Sequence, residues 1–399
     1  MYSKGQTRLY SSLLALAILL FLSATLLYPI WLTIAGAFES KTGNWTLHHF
    51  WSILQEPSTQ KGLINALLIA TMTTIISILI SLPLAILTAR YKFPGQNIFN
   101  ALLLVPLILP PFVGAIGLQN LLGRSGAINT FLINIGFLDT GIDFIGRGGF
   151  WAIVFIEALH LYPIIYLNAT AAIANVDSSL DEAAQSLGAP LIKRLKTILF
   201  PLIRPGLFAG STIVFIWSFT ELGTPLMFDY QIVTPVQIFS GLKEIGDSPR
   251  PYAMTAMLLI VATTIYILGR FLFGKSGHAT YGKAARASYS IPLKGLPSFC
   301  ATGACLTITL LAILPHLSVI ATSFSVPEMW YQSILPSNWT IQNYQGALEH
   351  PMAIGSIKNS LGYASIAVLF DLVIGLVAGY LIVRTKAFGR SLIDALCML

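Results

Sequence analysis

Charge is what this 399-residue sequence has least of: 10% of its residues are Asp, Glu, Lys or Arg, against about a quarter in soluble domains. Cysteine is scarce too. Cys300, Cys305 and Cys397 all lie in apolar stretches without disulfide or metal-ligand spacing, so they read as small hydrophobes. The string Gly269 to Ser276 has Gly-x-x-x-x-Gly-Lys-Ser spacing but closes an apolar run instead of following a strand, so any ATP used with this chain is expected to be hydrolysed elsewhere. A His-Glu-x-x-His zinc motif, a Gly-x-Ser-x-Gly nucleophile turn and paired aspartates in apolar runs are missing. An enzyme embedded in the membrane is therefore disfavoured, and no metal or cofactor is expected. The first apolar run, Tyr10 to Phe38, exceeds the roughly 7–15 residues of a signal-peptide core, so it reads as a retained span.

What is present is apolar: 55% of residues are hydrophobic and the mean hydropathy is +0.75. A spanning helix needs about 20 mostly apolar residues. Such runs occur at 10–36, 62–89, 97–122, 150–174, 205–228, 251–270, 297–324 and 359–383, with a ninth starting at 391. The expected class is an all-α polytopic membrane protein.

Basic residues set its orientation, because cytoplasmic flanks are enriched in Lys and Arg. With a cytoplasmic N-terminus and one crossing per run, the inner side receives Lys4, Arg8, Arg90, Lys92, Lys193, Arg194, Lys196, Arg204, Arg270, Lys275, Lys283, Arg286, Lys294, Arg384, Lys386 and Arg390. The outer side receives Lys41, Lys61, Arg124, Arg147, Lys243, Arg250 and Lys358. The net charge of +7 is thus a sidedness signal and not a nucleic-acid signal.

The chain repeats itself. Asn44-Trp45-Thr46 returns as Asn338-Trp339-Thr340, and in the same register Arg90, Lys92 and Gly95 match Arg384, Lys386 and Gly389. An even number of spans separates the copies, which makes the repeat parallel about an axis along the membrane normal. The expected division is a first half at 1–295, with a loop at 175–203, and the start of a second half at 296–399. The second copy is expected to stop in its third span, as in a truncated form of a longer protein.

The 175–203 loop is where function concentrates. Ser179 and Glu182 have capping-box spacing, and Asp181 and Glu182 suit a positive helix start. Ala183 and Ala184 keep one face small enough for a partner to approach. Gly188 suits a helix C′ position, and Pro190 suits the first turn of a second helix that carries Lys193, Arg194 and Lys196 and is closed by Pro201. Taken alone, this is a short helix-turn-helix on the cytoplasmic side.

The spacing Glu182-Ala183-Ala184, Gly188, Ile198, Pro201 resembles the signature loop of the permeases of binding-protein-dependent ABC importers, with Phe200 where Leu is usual. The resemblance implies the type I ABC importer transmembrane fold in a fused two-half form. It implies that the loop docks on an ATP-binding cassette subunit, a homodimer, and transmits its closure to the spans. It also implies a periplasmic solute-binding protein as partner, lipid around the spans, a bacterial inner membrane location and alternating access. Leu109-Pro110-Pro111-Phe112-Val113-Gly114-Ala115 and Thr220-Glu221-Leu222-Gly223-Thr224-Pro225 are most similar to iron(III) permeases. Thiamine, phosphonate and polyamine permeases are the alternatives. A secondary transporter also has two parallel halves, but Arg90-Tyr91-Lys92-Phe93-Pro94-Gly95 lacks the acidic-basic signature of that class.

Four ionisable residues in or beside the runs are candidates for the translocation path: Glu157 and His160, which share a helical face, Glu221 and Asp371. Each has a structural alternative as a hydrogen-bonded packing group. His48-His49 lacks further ligands and reads as ordinary outer loop.

Overall fold

The computed structural model describes residues 4–40, 43–146, 149–243, 248–273, 291–326, 335–336, 338–385 and 387–397. Apolar chain in a bilayer has to satisfy its backbone internally, and helices dominate accordingly. Helices α1 (Lys4–Leu22) and α2 (Tyr28–Phe38) are joined without a break by a π turn at Ser23–Leu27. Then α3 (His48–Gln55) leads into the long α4 (Pro57–Arg90), which starts with a proline in its first turn. A two-residue strand β1 (Tyr91–Lys92) precedes α5 (Gln96–Leu102), α6 (Val105–Ile108), α7 (Pro111–Leu122) and α8 (Ala127–Asn134). Next come α9 (Phe150–Ala174), α10 (Ser178–Ser186), α11 (Leu191–Arg194), α12 (Phe200–Thr220), α13 (Gly223–Met227), α14 (Thr234–Lys243) and α15 (Arg250–Phe273). Strand β2 (Ile291–Pro292) pairs in parallel with β1 and opens α16 (Leu296–Ser323). Helices α17 (Gln342–Glu349), α18 (Pro351–Arg384) and α19 (Arg390–Cys397) follow.

Among the described residues seven helices are long and apolar enough to cross a membrane. An eighth crossing arises if the bent pair Gln96–Ile108 and Pro111–Asn134 counts as one span. The sequence suggested an unbroken span over 97–122, and this is a correction: the chain turns by 94° at the break. Pro106, Pro110 and Pro111 supply the cause, since each lacks the N–H that would continue the helix. The run expected from 391 onward is described only as the short α19. Of the residues used for orientation, Lys41, Arg147, Lys275, Lys283, Arg286 and Lys386 lie outside the described residues, as do the side chains of Lys4, Arg8 and Arg270.

Contacts group the chain into two compact units, Phe50–Thr340 and Met1–His49 with Ile341–Leu399. In the larger unit α4, α9 and α12 pack on one another, with α9 the most buried span. Small residues make the close approach of α4 and α9 feasible. Ala66, Ala70, Thr73, Ser77, Ser81 and Thr88 form a buried stripe along α4. Ser81 Oγ donates to the Tyr162 carbonyl at 2.7 Å, and Ser77 Oγ to that of Ala158 at 3.4 Å. The Thr88 hydroxyl is 2.9 Å from that of Tyr166. Helix α16 packs on α7 so closely that a Cβ placed on Gly117 would lie 1.8 Å from the Pro315 carbonyl oxygen. In the smaller unit α1 packs on α18 and α19.

The repeat is visible in the backbone. At the same offset that relates Trp45 to Trp339, α3 and α17 share both boundaries, and so do the 34-residue α4 and α18. Gly95 and Gly389 hold φ of 78° and 82° in equivalent turns, a left-handed conformation that favours glycine. Trp45 and Trp339 each sit in an isolated antiparallel bridge, to Glu39 and Ser325.

Candidate functional site

The loop after α9 forms as a helix-turn-helix, with three departures from the sequence reading. Its first helix, α10, is capped by Asp177 and not by a Ser179–Glu182 box: the Asp177 carboxylate accepts from the Ser179 N–H at 3.0 Å. Asp177 is the nearer capping side chain, and Ser179 already lies within the first turn. Pro190 occupies the N-cap of α11, one position before the first turn. Pro201 does not close the unit. Helical structure runs from Leu191 to Thr220, and a π turn at Leu195–Leu199 precedes Pro201. A π turn shifts the hydrogen-bond register, which is how a helix absorbs a proline without ending. The second arm of the loop is therefore the foot of a span.

Gly188 ends α10 as expected. Its φ is +78°, its N–H donates to Gln185 O at 2.9 Å, and Ala189 N–H donates to Ala184 O at 3.0 Å. These two bonds are the Schellman pattern, which needs a left-handed residue at Gly188. A Cβ there would meet nothing within 4 Å, so the demand for glycine comes from the backbone and not from crowding.

Around this turn the surface is apolar and unpartnered: Leu187 is 88% exposed, Ile192 68% and Leu180 50%. Glu182 and Ala183 are exposed beside them, Ala184 and Ile198 are half-buried, and Pro201 is exposed. Sequence reading missed Leu187 and Ile192. Their signal was present, two large aliphatics flanking a helix-stop glycine in a charged loop. A different face of α10 turns inward. Asp181 Oδ2 lies 3.0 Å from Arg194 Nη1 and 3.4 Å from Arg90 Nη2, the latter at the end of α4.

The four pathway candidates have different surroundings. Glu157 is buried between α4, α9 and α12, where Ser218 donates to its Oε2 and Thr73 Oγ1 lies 3.5 Å away; its Oε1 has no hydrogen-bond partner. His160 turns elsewhere, with Nδ1 2.7 Å from the Pro106 carbonyl and its ring edge-on to Trp217. That carbonyl lies at the broken helix, which ties His160 to the bend. Glu221 accepts from the N–H groups of Gly223 and Thr224, at 3.0 and 3.3 Å, and so opens α13. Asp371 is exposed on α18, in the smaller unit, at the repeat position of the buried Ser77. The sequence did not single out His316, which is buried in α16 with neither ring nitrogen hydrogen-bonded. His48 and His49 lie edge to face on α3 with ring centroids 6.1 Å apart. Among the described residues no three His, Cys, Asp or Glu side chains form a metal-holding group.

Comparison with known proteins places this arrangement. A sequence model of the family described as "Binding-protein-dependent transport system inner membrane component" matches residues 78–276, which contain α9, α10 and α12. Over those residues the chain is similar to this family, and its fold is that of a type I ABC importer permease. The ferric transport system permease protein FbpB of Actinobacillus pleuropneumoniae is 27% identical over 349 residues, covering 84% of this chain and 48% of the relative. The molybdenum transport system permease protein ModB of Mycobacterium tuberculosis is 28% identical, covering 55% of this chain and 81% of the relative. A solved bacterial ABC transporter involved in import of the acidic polysaccharide alginate superposes with a TM-score of 0.52 at 18% identity, over 67% of this chain and 95% of its own. The chain spans about half the length of the ferric permease relatives it matches.

Proposed function

We propose that this chain is the permease of an ATP-driven uptake system of the bacterial inner membrane, working by alternating access with its N-terminus in the cytoplasm. ATP is hydrolysed by a separate ATP-binding cassette homodimer, and a periplasmic protein delivers the solute. The observation that carries the reading is the turn at Gly188. A capped helix and the turn after it present Glu182 and Leu187 to a partner, and the second arm, which carries Ile192, runs straight into a span. Motion imposed on the loop is thereby imposed on α12. Glu182, Ala183, Ala184, Gly188, Ile198 and Pro201 are assigned to this coupling. The halves are assigned to 1–295 and 296–399, with α16 as the first span of the second.

Iron(III) is the favoured solute, because similarity to the ferric permease extends along 84% of the chain and passes from the first copy into the second. Molybdenum or sulfate is the second reading, supported by relatives that match 55% and 66% of the chain. Among the pathway candidates Glu157 is assigned to the path, since one of its carboxyl oxygens is left for another partner. His160 and Glu221 are assigned to the shape of the path, through the bend and the α13 cap. Asp371 is assigned to the face of α18 that corresponds to the packed face of α4.

The test is a series at Gly188. Gly188→Asn, which tolerates a left-handed backbone, keeps uptake of iron(III) in cells carrying the full-length protein; Gly188→Val abolishes it with membrane insertion intact. Normal uptake in the Val variant would overturn the reading.

A further inference from the structure

We propose that Asp181 is a positioning residue: through Arg90 and Arg194 it fastens α10 to the cytoplasmic end of α4, so that loop movement reaches that span as well as α12. The proposal rests on the coupling reading above. It adds a second mechanical connection, made by residues outside the loop's signature positions.

Helix α10 has two working faces. Ala183 and Leu187 are exposed, whereas Asp181 and Gln185, one turn apart, meet Arg194, and Glu182 lines the same cleft. Arg194 Nη1 donates to Asp181 Oδ2 and to Gln185 Oε1, each at 3.0 Å, and lies 3.5 Å from the Asp181 carbonyl. Arg90 Nη2 lies 3.4 Å from the same Asp181 oxygen. Arg90 is the last residue of α4, where the negative end of the helix already favours a cation. One carboxylate therefore joins three helical segments: its own, the foot of α12 and the end of α4.

The three charged side chains are mostly buried, so salt screens them less than an exposed pair. Their pairing is also unforgiving. Arg194 Nε is buried without a hydrogen-bond partner, so the network has no spare acceptor. Without the Asp181 charge, the two guanidinium groups lose the carboxylate oxygen they share. Directly after Arg90 the connection continues. Tyr91 and Lys92 pair in parallel with Ile291 and Pro292, and Leu293 N–H donates to Lys92 O at 2.9 Å just ahead of α16. The end of α4 is a junction at which α10 and α16 both attach.

The experiment measures how strongly the full permease, in nanodiscs, stimulates ATP hydrolysis by its ATPase subunit, alongside copurification of that subunit. This readout needs no knowledge of the solute. Asp181→Asn and Arg90→Gln each lower the stimulation about tenfold while copurification stays at the wild-type level, and the double variant falls no further than either single one. Arg90→Lys, which keeps the charge, stays within about twofold of wild type. Additive losses in the double variant, undiminished stimulation in Asp181→Asn, or loss of copurification in Asp181→Asn would each overturn the proposal. The last result would place Asp181 on the docking surface instead. Failure of the coupling reading shows differently, as a wild-type permease that does not bind the ATPase at all.

Discussion

Leu187→Ala tests the proposed docking surface at its most exposed point. Leu187 is 88% exposed, so its side chain contributes almost nothing to the fold as it stands. Burial of a leucine against a partner is worth about 1.5–3 kcal/mol, and alanine keeps one of its four side-chain carbons. The substitution therefore removes about 2 kcal/mol of docking energy, a weakening of about thirtyfold per loop. The cost to the permease itself is close to zero, because the side chain is 88% exposed where it follows the last residue of α10. The assay is a titration of labelled ATPase subunit onto permease in nanodiscs, with thermal unfolding of the permease as control. An affinity within about twofold of wild type would refute the docking assignment, since a buried leucine cannot be truncated so cheaply. A lowered melting temperature would refute the premise that Leu187 is idle in the fold.

Three further substitutions probe the rest of the molecule. Glu157→Gln keeps the size and the hydrogen-bonding capacity of a buried group, so the protein inserts normally, but iron(III) uptake falls at least about tenfold; unchanged uptake would return Glu157 to a purely structural role. Asp371→Ser restores the residue type of the equivalent position in α4 and retains uptake, whereas Asp371→Leu loses it; failure of the serine variant would show that the carboxylate itself is needed. Glu56 is held below its usual carboxylate value of 4.5 by the hydroxyl of Ser58, by Arg250 at 2.8 Å and by Thr59. Its folded value is depressed, so its contribution is full above the ordinary value and fades as pH falls through the lower folded one. Wild type and Glu56→Gln accordingly differ in thermal midpoint at neutral pH and converge in acid.

The spans were legible because apolar length is a strong signal, and α9 was read to the residue at 150–174. The bend near Leu109 was not, although its cause was in plain sight. Membrane helices tolerate proline when neighbours satisfy the freed carbonyls, so Pro163 inside a continuous α9 and Pro110 at a 94° break look alike in one dimension. What separates them is where the partner sits. The carbonyl of Pro106, released by the bend, meets His160 from another helix, and no local pattern encodes that meeting. Capping failed for a related reason: Asp177 and Ser179 both suit an N-cap, and the choice depends on where α9 lets the chain go. The same limit explains the loop. The placement of its spaced residues could be read from spacing, because Gly188 is set by its own backbone and Glu182 and Ala183 are exposed. Asp181 could not, because its role is defined by Arg90, which comes from the far end of another span. The repeat sharpens the point. Arg384 stands on α18 where Arg90 stands on α4, so the duplicated register carries the cationic half of this connection twice.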